Sequence, residues 1–325
     1  MISLGPTPIK FKILDFTMTD FKIPGLKIGV DGGGTKTELI LVDAAGTIVA
    51  RHTAPGCNPS QCGPERSRDI LETGLTALLG SAPLSHLRSP ISATHLYMAG
   101  SPAFWRELAA TLSGYGRVAA ETDAIPVLEL ATAGAPGLVL HAGTGSFVAA
   151  RAPDGSVHYA GGLGWKLGDA GSGFDLGRRG IAQAMLELQG WAPPSDLGAI
   201  LKAHTGLTDA AAISRFLYSD PDANARITAF APRVVQLAAQ GCPPAQVALT
   251  ETLTELVGQA RLVTAKLFPG AVVPCGVSGP ILNCEPSPAA LKALVAAPPW
   301  AVELNFITAP PIEGVRRLLL KQSSR

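Results

Sequence analysis

Residues 139–177 read VLHAGTGSFVAARAPDGSVHYAGGLGWKLGDAGSGFDLG, and ten of them are glycine. The first apolar run ends in Gly143-Thr144-Gly145-Ser146, a second follows as FVAAR, and a third follows Pro153-Asp154-Gly155. This pattern predicts three strands joined by two tight turns. The first turn would present backbone N–H groups and two hydroxyls at a strand end, where no Cβ blocks close approach. Such an arrangement is typical of anion binding.

The same layout occurs near the N-terminus. Residues 27–51, KIGVDGGGTKTELILVDAAGTIVAR, repeat the order of residues 138–161: strand, Gly/Thr turn, strand, short polar turn, strand. An internal repeat of this kind indicates two related structural units. We therefore expect two α/β lobes that face each other across a cleft and could hold a polyphosphate from both sides.

Five motifs in a fixed order carry a family resemblance. They are Asp31–Thr37 (DGGGTKT), Thr122-Asp123-Ala124, Gly143–Ser146, Gly161–Trp165 (GGLGW) and Gly168–Ser172 (GDAGS). In combination they resemble the N-acetylglucosamine kinases and the wider BadF/BadG/BcrA/BcrD ATPase group, over roughly residues 26 to 325. The resemblance implies an α/β fold with two RNase H-like, actin-like ATPase domains around an interdomain cleft.

The repeat and the resemblance together predict the domain boundaries. Residues 1–25 would be an N-terminal extension. The N-terminal RNase H-like domain would comprise residues 26–124 plus about 312–325, with the last helix packing back on the first lobe. The C-terminal domain would comprise residues 125–311.

Composition excludes several classes of protein. The 325 residues are 47% hydrophobic and 16% charged with a net charge of +1, which is ordinary for a globular chain without a nucleic-acid partner. The longest uncharged run, residues 130–150, is interrupted by glycines and proline and does not predict a membrane helix. No export signal is recognisable, so we expect a cytoplasmic protein without a membrane partner. The partners expected are a small-molecule sugar and, in a homodimer, a second copy.

The five cysteines form no CxxC pair, which indicates reduced thiols and neither a disulfide framework nor a zinc site. Cys57 and Cys62 lie five residues apart, but without a second pair of soft ligands a metal site there is disfavoured.

The first Gly/Thr turn supplies candidate phosphate and metal residues. Gly33, Gly34 and Thr35 would contact phosphate, as would Thr144 and Gly145 of the second turn. Asp31 precedes the glycines, and a carboxylate beside phosphate requires a cation between them. We therefore expect Mg²⁺ near Asp31, held through water. The alternative is a carboxylate that accepts N–H bonds within its own turn. Lys36 does not belong to a GxxxxGK[ST] motif and should face solvent.

Asp123 is the candidate catalytic base. It follows a short apolar strand at the junction of the two repeats, where it could take a proton from a hydroxyl nucleophile. The structural alternative is an N-cap on the helix that starts at Ala124. Asn58 lies between Gly56 and Pro59 and could serve only turn chemistry. The resemblance implies that it hydrogen-bonds the sugar.

The glycine-rich segment after residue 161 is predicted to be a mobile loop against a ligand, ahead of a helix at 178–189. Asp169 suits sugar hydroxyls, or could cap that helix, and Ser146 and Gly162 are further candidate substrate contacts. Many relatives have Trp at the place of Leu163 and Glu at the place of Ala170, which leaves the exact sugar open. A third glycine turn, with Gly276 and Ser278 after a strand at 271–275, is implied by the resemblance to flank the nucleotide.

These features predict ATP-dependent phosphorylation of an amino sugar at the 6-hydroxyl of N-acetylglucosamine, with ATP and Mg²⁺ as cofactors. One alternative is an ATPase activator of a reductase or dehydratase. Those relatives carry cluster-binding cysteines and a Gly-Gly-Gln-Asp turn, and this chain has neither. The other alternative is a sugar-binding relative that has lost catalysis.

Overall fold

A computed structural model describes residues 25–83 and 89–321. Almost all of the predicted extension at 1–25, and the chain beyond residue 321, lie outside the described residues. The strands are β1 (Leu26–Gly32), β2 (Lys36–Val42), β3 (Ile48–Pro55), β4 (Ile91–Met98), β5 (Arg117–Thr122), β6 (Gly137–Ala142), β7 (Ser146–Arg151), β8 (Val157–Gly161), β9 (Val273–Ser278) and β10 (Val302–Phe306). The helices are α1 (Pro59–Cys62), α2 (Pro64–Gly80), α3 (Pro102–Thr111), α4 (Ala124–Thr132), α5 (Gly173–Leu188), α6 (Asp196–Thr205), α7 (Ala210–Ser219), α8 (Ala223–Ala239), α9 (Pro243–Leu267), α10 (Pro280–Asn283), α11 (Ser287–Ala296) and α12 (Pro311–Lys321).

Two five-stranded sheets share one topology. Sheet A has the order β3-β2-β1-β4-β5, in which the first three strands are antiparallel and β1, β4 and β5 are parallel. Sheet B has the order β10-β9-β6-β7-β8, with β6, β7 and β8 antiparallel and β6, β9 and β10 parallel. Each sheet is thus a meander extended by two parallel strands on the side of its first strand. The internal repeat read from the sequence is confirmed.

Apolar residues on both faces of the central strands explain the layering. In sheet A, Leu39 and Leu41 point to the core under α2 and α3, while Ile40 and Val42 point to the opposite core under α12. In sheet B one face packs on α5, α8 and α9, and the other is covered by α4. Strands buried on both faces carry continuous apolar runs, as β2 does in its segment Leu39–Val42.

Helices α4 and α12 each follow a strand of one sheet and pack on the other sheet. α4 follows β5 of sheet A but packs on β6, β7 and β9 of sheet B. α12 follows β10 of sheet B but packs on β1 and β2 of sheet A, through Ile312, Val315 and Leu319. The two helices also contact each other closely, since a Cβ on Gly314 would overlap the carbonyl of Pro126. The chain therefore joins its two sheets by a helix pair, while the domain boundaries at 124–125 and 311–312 stay a prediction.

Two predicted boundaries were wrong. α5 begins at Gly173, not near residue 178, because the Ser172 hydroxyl accepts a hydrogen bond from Asp175 N and starts the helix within the glycine-rich segment. β9 runs from Val273 to Ser278 and not from 271 to 275, because it pairs with β6 as far as Ser278. In the described part of the chain, no helix is long and apolar enough to cross a bilayer.

Candidate active site between the two sheets

The first glycine turn, residues 33–35, closes β1 onto β2. Gly33 N donates to Lys36 O (2.9 Å), and the following segment crosses the turn through Gly56 N to Thr35 O (3.0 Å). A Cβ on Gly56 would overlap the backbone of Gly34, so this close crossing requires glycine. Lys36 is exposed as expected, but its ammonium also pairs with Glu38 (2.6 Å).

The second glycine turn, residues 143–145, closes β6 onto β7. Gly143 N donates to Gly145 O (2.8 Å). Gly173 N, at the start of α5, donates to Gly143 O (2.8 Å) and fixes the turn against the helix. Both turns follow the first strand of their sheet, as the repeat predicts.

The two turns meet at their tips. The hydroxyl oxygens of Thr35 and Thr144 lie 2.7 Å apart and form a hydrogen bond between sheet A and sheet B. Because a phosphate oxygen accepts hydrogen bonds from hydroxyls and from backbone N–H groups, these facing turns offer donors from two sides to one anion.

Two carboxyl groups, those of Asp31 and Asp123, lie at the carboxyl ends of β1 and β5. Burial, together with the negative charges of Asp123 and Glu38, raises the pKa of Asp31 to about 7. Burial raises the pKa of Asp123 to about 6, which N–H groups of Asp123 and Ala124 partly offset. The effect of the Asp123 charge on the pKa of Asp31 indicates that the two carboxyls share one region of the cleft.

Among the described residues, neither structural alternative is formed by a side-chain hydrogen bond of normal geometry, although the N–H groups of Asp123 and Ala124 lie near the Asp123 carboxyl. No N–H of its own turn donates to the Asp31 carboxylate. The Asp123 side chain does not cap α4, whereas the Thr122 hydroxyl accepts from Ala124 N (3.1 Å). Both carboxylates therefore keep acceptor capacity for a ligand.

Asn58 begins the short helix α1 beside the first glycine turn. Its Oδ1 accepts from Ser60 N (3.0 Å), so the turn role considered from the sequence is present. The same oxygen lies 2.5 Å from the position that a Cβ on Gly100 would take, and Gly100 has a φ of +93°. Asn58 Nδ2 makes no hydrogen bond within the described residues and remains available as a donor to a ligand.

Asp169 lies next to the second glycine turn. Its Oδ2 is 3.3 Å from the position of a Cβ on Gly145, and its Oδ1 accepts from Gly164 N (3.1 Å). The residue is buried with a φ of +67°, and burial raises the pKa of its carboxyl. Asp169 does not cap α5, because Ser172 does.

The other loop candidates differ in access. Ser146 is buried, and its hydroxyl donates to Ala170 O (2.7 Å), which ties β7 to the loop at 162–171. Gly162 is exposed with a φ of +67° and passes over Phe147. Leu163 is 70% exposed, whereas Ala170, the other departure from the family pattern, is buried.

A model of the BadF/BadG/BcrA/BcrD ATPase family matches residues 28–315. The chain belongs to this family. The match covers both sheets and all the candidate residues named above, and it confirms the resemblance carried by the motifs.

Individual relatives and solved structures are also similar to this chain. An N-acetyl-D-glucosamine kinase of Dictyostelium discoideum is 29% identical over 165 residues, 46% of this chain and 51% of that protein. The chain thus matches about half the length of this curated relative. A crystal structure of a protein proposed to be an N-acetylglucosamine kinase, from Chromobacterium violaceum, aligns with a TM-score of 0.71 at 26% identity, covering 91% of this chain and 99% of that one. A ROK family glucokinase from Streptomyces griseus, solved with glucose and AMPPNP, shares the fold at a TM-score of 0.56 and 16% identity, over 92% of this chain and 100% of that one.

The third predicted glycine turn of this ATPase family member is displaced. Gly276 lies inside β9, where an added Cβ would come within 2.5 Å of Ala131 Cβ and 2.8 Å of Ile307 Cδ1. It allows α4 to pack closely on sheet B. Its assignment to the nucleotide stays a prediction. The turn follows at Gly279, and Ser278 lies buried directly before it.

Two further residues of the cleft were missed from the sequence. His141 at the end of β6 has its Nδ1 3.3 Å from Ser278 Oγ. Tyr159 on β8 lies next to Thr122, and the pKa of its phenol is raised by burial and by the charges of Glu121 and Asp123. A polar residue within the apolar run VLHAG was a signal for His141. Nothing in the sequence indicated that Tyr159 reaches β5.

The residues present fit a magnesium ion held mainly by nucleotide. Within the described ranges no group of three or more His, Cys, Asp or Glu side chains could hold a metal by itself. The cleft instead offers Asp31 and Asp123, whose pKa values are raised by burial and, for Asp31, by the neighbouring charge. Mg²⁺ in kinases is bound through one or two carboxylates plus phosphates and water, which is the set that this cleft and a nucleotide would supply.

Proposed function

We propose that this protein is an ATP-dependent sugar kinase that phosphorylates an amino sugar, with the 6-hydroxyl of N-acetylglucosamine as the acceptor. The observation that carries the proposal is the meeting of two glycine turns through Thr35 and Thr144, with the interacting carboxyls of Asp31 and Asp123 at the ends of β1 and β5. The names of the Dictyostelium and Chromobacterium relatives support the amino sugar as substrate class.

Asp123 acts as the general base in this proposal. With a pKa of about 6 its carboxyl is ionised at neutral pH, yet it is more basic than an exposed aspartate. It accepts the proton of the sugar hydroxyl while that oxygen bonds to the γ-phosphorus and the bond from the γ-phosphorus to the bridging oxygen breaks. ADP leaves with the bonding electrons, and the phosphorylated sugar is formed.

The glycine turns hold the nucleotide. Phosphoryl transfer depends mainly on positioning and charge neutralisation, which here come from N–H groups of Gly34 and Gly145 and from the hydroxyls of Thr35 and Thr144. The N–H of Gly33 is bonded to Lys36 O, so Gly33 contributes by shaping the turn beside the phosphate. When bound, Mg²⁺ supplies charge neutralisation at the phosphates, and Asp31 would hold it through water. Burial of Asp31 beside Asp123 and Glu38 favours a cation at this point.

The sugar lies between Asn58 on sheet A and the loop at 162–171 on sheet B. Asn58 donates through its free amide nitrogen, and Asp169 accepts from sugar hydroxyls. Gly162 gives the sugar close access to the loop backbone. Ser146 already donates to Ala170 O, so it contributes only as an acceptor or by holding the loop.

The test is ADP release, measured by a coupled assay across amino sugars and hexoses with ATP and Mg²⁺. We expect turnover with N-acetylglucosamine, a phosphate ester at the 6-position by NMR, and loss of activity on adding a chelator. Asp123→Asn should lower kcat by about 10²- to 10⁴-fold, the usual contribution of a general base. Asp69→Asn, on the exposed face of α2, is the matched control. Full activity of Asp123→Asn would overturn the base assignment, and no turnover with any sugar would overturn the kinase.

A further inference from the structure

His141 occupies a place in the cleft that the proposed function does not use. It is the fifth residue of β6 (GLVLHA), on the face of sheet B that α4 covers, because Val139 two residues earlier packs under α4. Its ring lies nearly parallel to that of Phe147, its cross-strand partner on β7. The ring centroids are 5.0 Å apart and the interplanar angle is 20°. The imidazole is thus held flat by packing.

The two ring nitrogens of His141 face two different turns. Nδ1 lies 3.3 Å from Ser278 Oγ, directly before the Gly279 turn. Nε2 lies 3.6 Å from the position that a Cβ on Gly143 would take, at the base of the second glycine turn. The two turns are neighbours because β6 and β9 are parallel and His141 pairs in register with Ser278. Ligands of open α/β sheets bind at such carboxyl ends of parallel strands.

One nitrogen of the ring is free for a ligand. Within the described residues Nε2 makes no hydrogen bond, whereas Nδ1 has Ser278. Burial lowers the pKa of His141 to about 4, so the ring is neutral at pH 7 and carries one proton. When the Ser278 hydroxyl donates to Nδ1, that proton lies on Nε2, and a neutral N–H donor then points to the second glycine turn.

We propose that His141 is a nucleotide-binding residue whose Nε2–H donates a hydrogen bond to a phosphate oxygen held by residues 143–145, with Ser278 fixing the tautomer. This inference rests on the proposed use of ATP. It assigns Ser278 an indirect role: the hydroxyl orients the imidazole, and the imidazole contacts the phosphate. A neutral donor adds a directed hydrogen bond without a fixed charge.

Amide side chains can separate the two nitrogens. Glutamine places an amide nitrogen close to the position of histidine Nε2, and asparagine places one close to that of Nδ1. Nucleotide affinity is measured by calorimetry with ADP and with a non-hydrolysable ATP analogue. We expect His141→Gln to bind within about 3-fold of the wild type. His141→Asn and His141→Leu should bind about 10-fold or more weakly, as for the loss of one hydrogen bond to a charged group. The KM for the sugar should stay unchanged.

Folding is checked by the Tm of each variant. Independently of any variant, the ¹⁵N signal of His141 Nε2 in the wild type should remain protonated and shift when ADP is added. An unchanged signal, or equal nucleotide affinity in the wild type and His141→Leu, would overturn the role of His141 and leave the kinase proposal intact. Failure of the wild type to bind any nucleotide would instead overturn the proposed function itself.

Discussion

The hydroxyls of Thr35 and Thr144 form a hydrogen bond of 2.7 Å across the cleft, between residues 109 positions apart in the chain. Each Gly/Thr turn of the internal repeat supplies one of the two threonines. A hydrogen bond between neutral, partly exposed hydroxyls contributes little net stability. Phosphate oxygens are better acceptors for both hydroxyls, because hydrogen bonds to charged groups are stronger. We therefore infer that nucleotide replaces this contact, and that the threonines contribute more to binding than to folding.

Removing either hydroxyl should weaken the use of ATP. Thr35→Val and Thr144→Val keep the side-chain shape but cannot donate, and we expect kcat/KM for ATP to fall about 10- to 100-fold. Thr→Ser at either position should retain most of the activity. The measurement is steady-state kinetics with ATP varied at saturating sugar.

Thr76→Val serves as the control for this pair, because Thr76 is exposed on α2 and bonds only within its own helix. Its kinetics should match those of the wild type. The Tm of the Thr35 and Thr144 variants should change by no more than about 2–4 °C, which corresponds to a change of about 1 kcal/mol in the free energy of unfolding. Wild-type kcat/KM in both valine variants would contradict a phosphate-binding role for the turns.

The carboxyl pair predicts an acid limb in the pH profile. Asp123 must be ionised to accept a proton, and with a pKa of about 6 it becomes protonated as the pH falls through 6. Asp31, with a pKa of about 7, adds a second protonation in the free protein. We expect kcat/KM for the sugar to be constant above pH 7.5 and to fall below pH 7, with a slope of log kcat/KM that approaches 2 below pH 6.

The control for this profile is the affinity for the sugar measured by calorimetry over the same range, since loss of binding would also lower kcat/KM. A profile that stays flat down to pH 5 would exclude Asp123 as the general base.

The buried carboxyl of Asp31 should destabilise the folded protein at neutral pH. The pKa of Asp31 is about 7 when folded and near 3.8 when unfolded, so between these values the folded state binds more protons. The Asp31 carboxyl therefore adds to the free energy of unfolding below pH 4, and this contribution is lost as the pH rises through 7. Asp31→Asn removes the ionisation and should raise the stability at pH 8 by on the order of 1 kcal/mol, with no gain at pH 4.

The measurement is the Tm of Asp31→Asn and wild type at both pH values without nucleotide or metal. The exposed substitution Asp69→Asn should give no difference at either pH. A lower Tm of Asp31→Asn at pH 8 would show that the carboxylate stabilises the empty cleft, contrary to the repulsion described here.

Local sequence patterns determined most of the fold in advance. The repeat predicted both meanders, which the structure shows as β1–β3 and β6–β8. Glycine patterns were less informative, because glycine serves both ligand approach and close packing. The segment at 168–177 was read as loop, although Ser172 caps a helix there, and Gly276 was read as a turn. The contacts of His141 and Tyr159 depend on tertiary placement, which single-sequence patterns do not contain.

Gly276 lies within β9 and packs against α4, which predicts a role in stability. Gly276→Ala puts a methyl group within 2.5 Å of Ala131 Cβ on α4, so overpacking should lower the free energy of unfolding by about 1–3 kcal/mol. Ala131→Gly in the same chain should restore part of this loss, because it removes the clashing methyl group. Gly258→Ala in α9, where an added Cβ meets nothing within 4 Å, should be neutral or stabilising. The measurement is chemical denaturation combined with KM for ATP. If Gly276→Ala loses stability and Ala131→Gly partly restores it, the result supports the packing role. If Gly276→Ala instead raises the KM for ATP without changing stability, the result supports a role of this glycine in the nucleotide site.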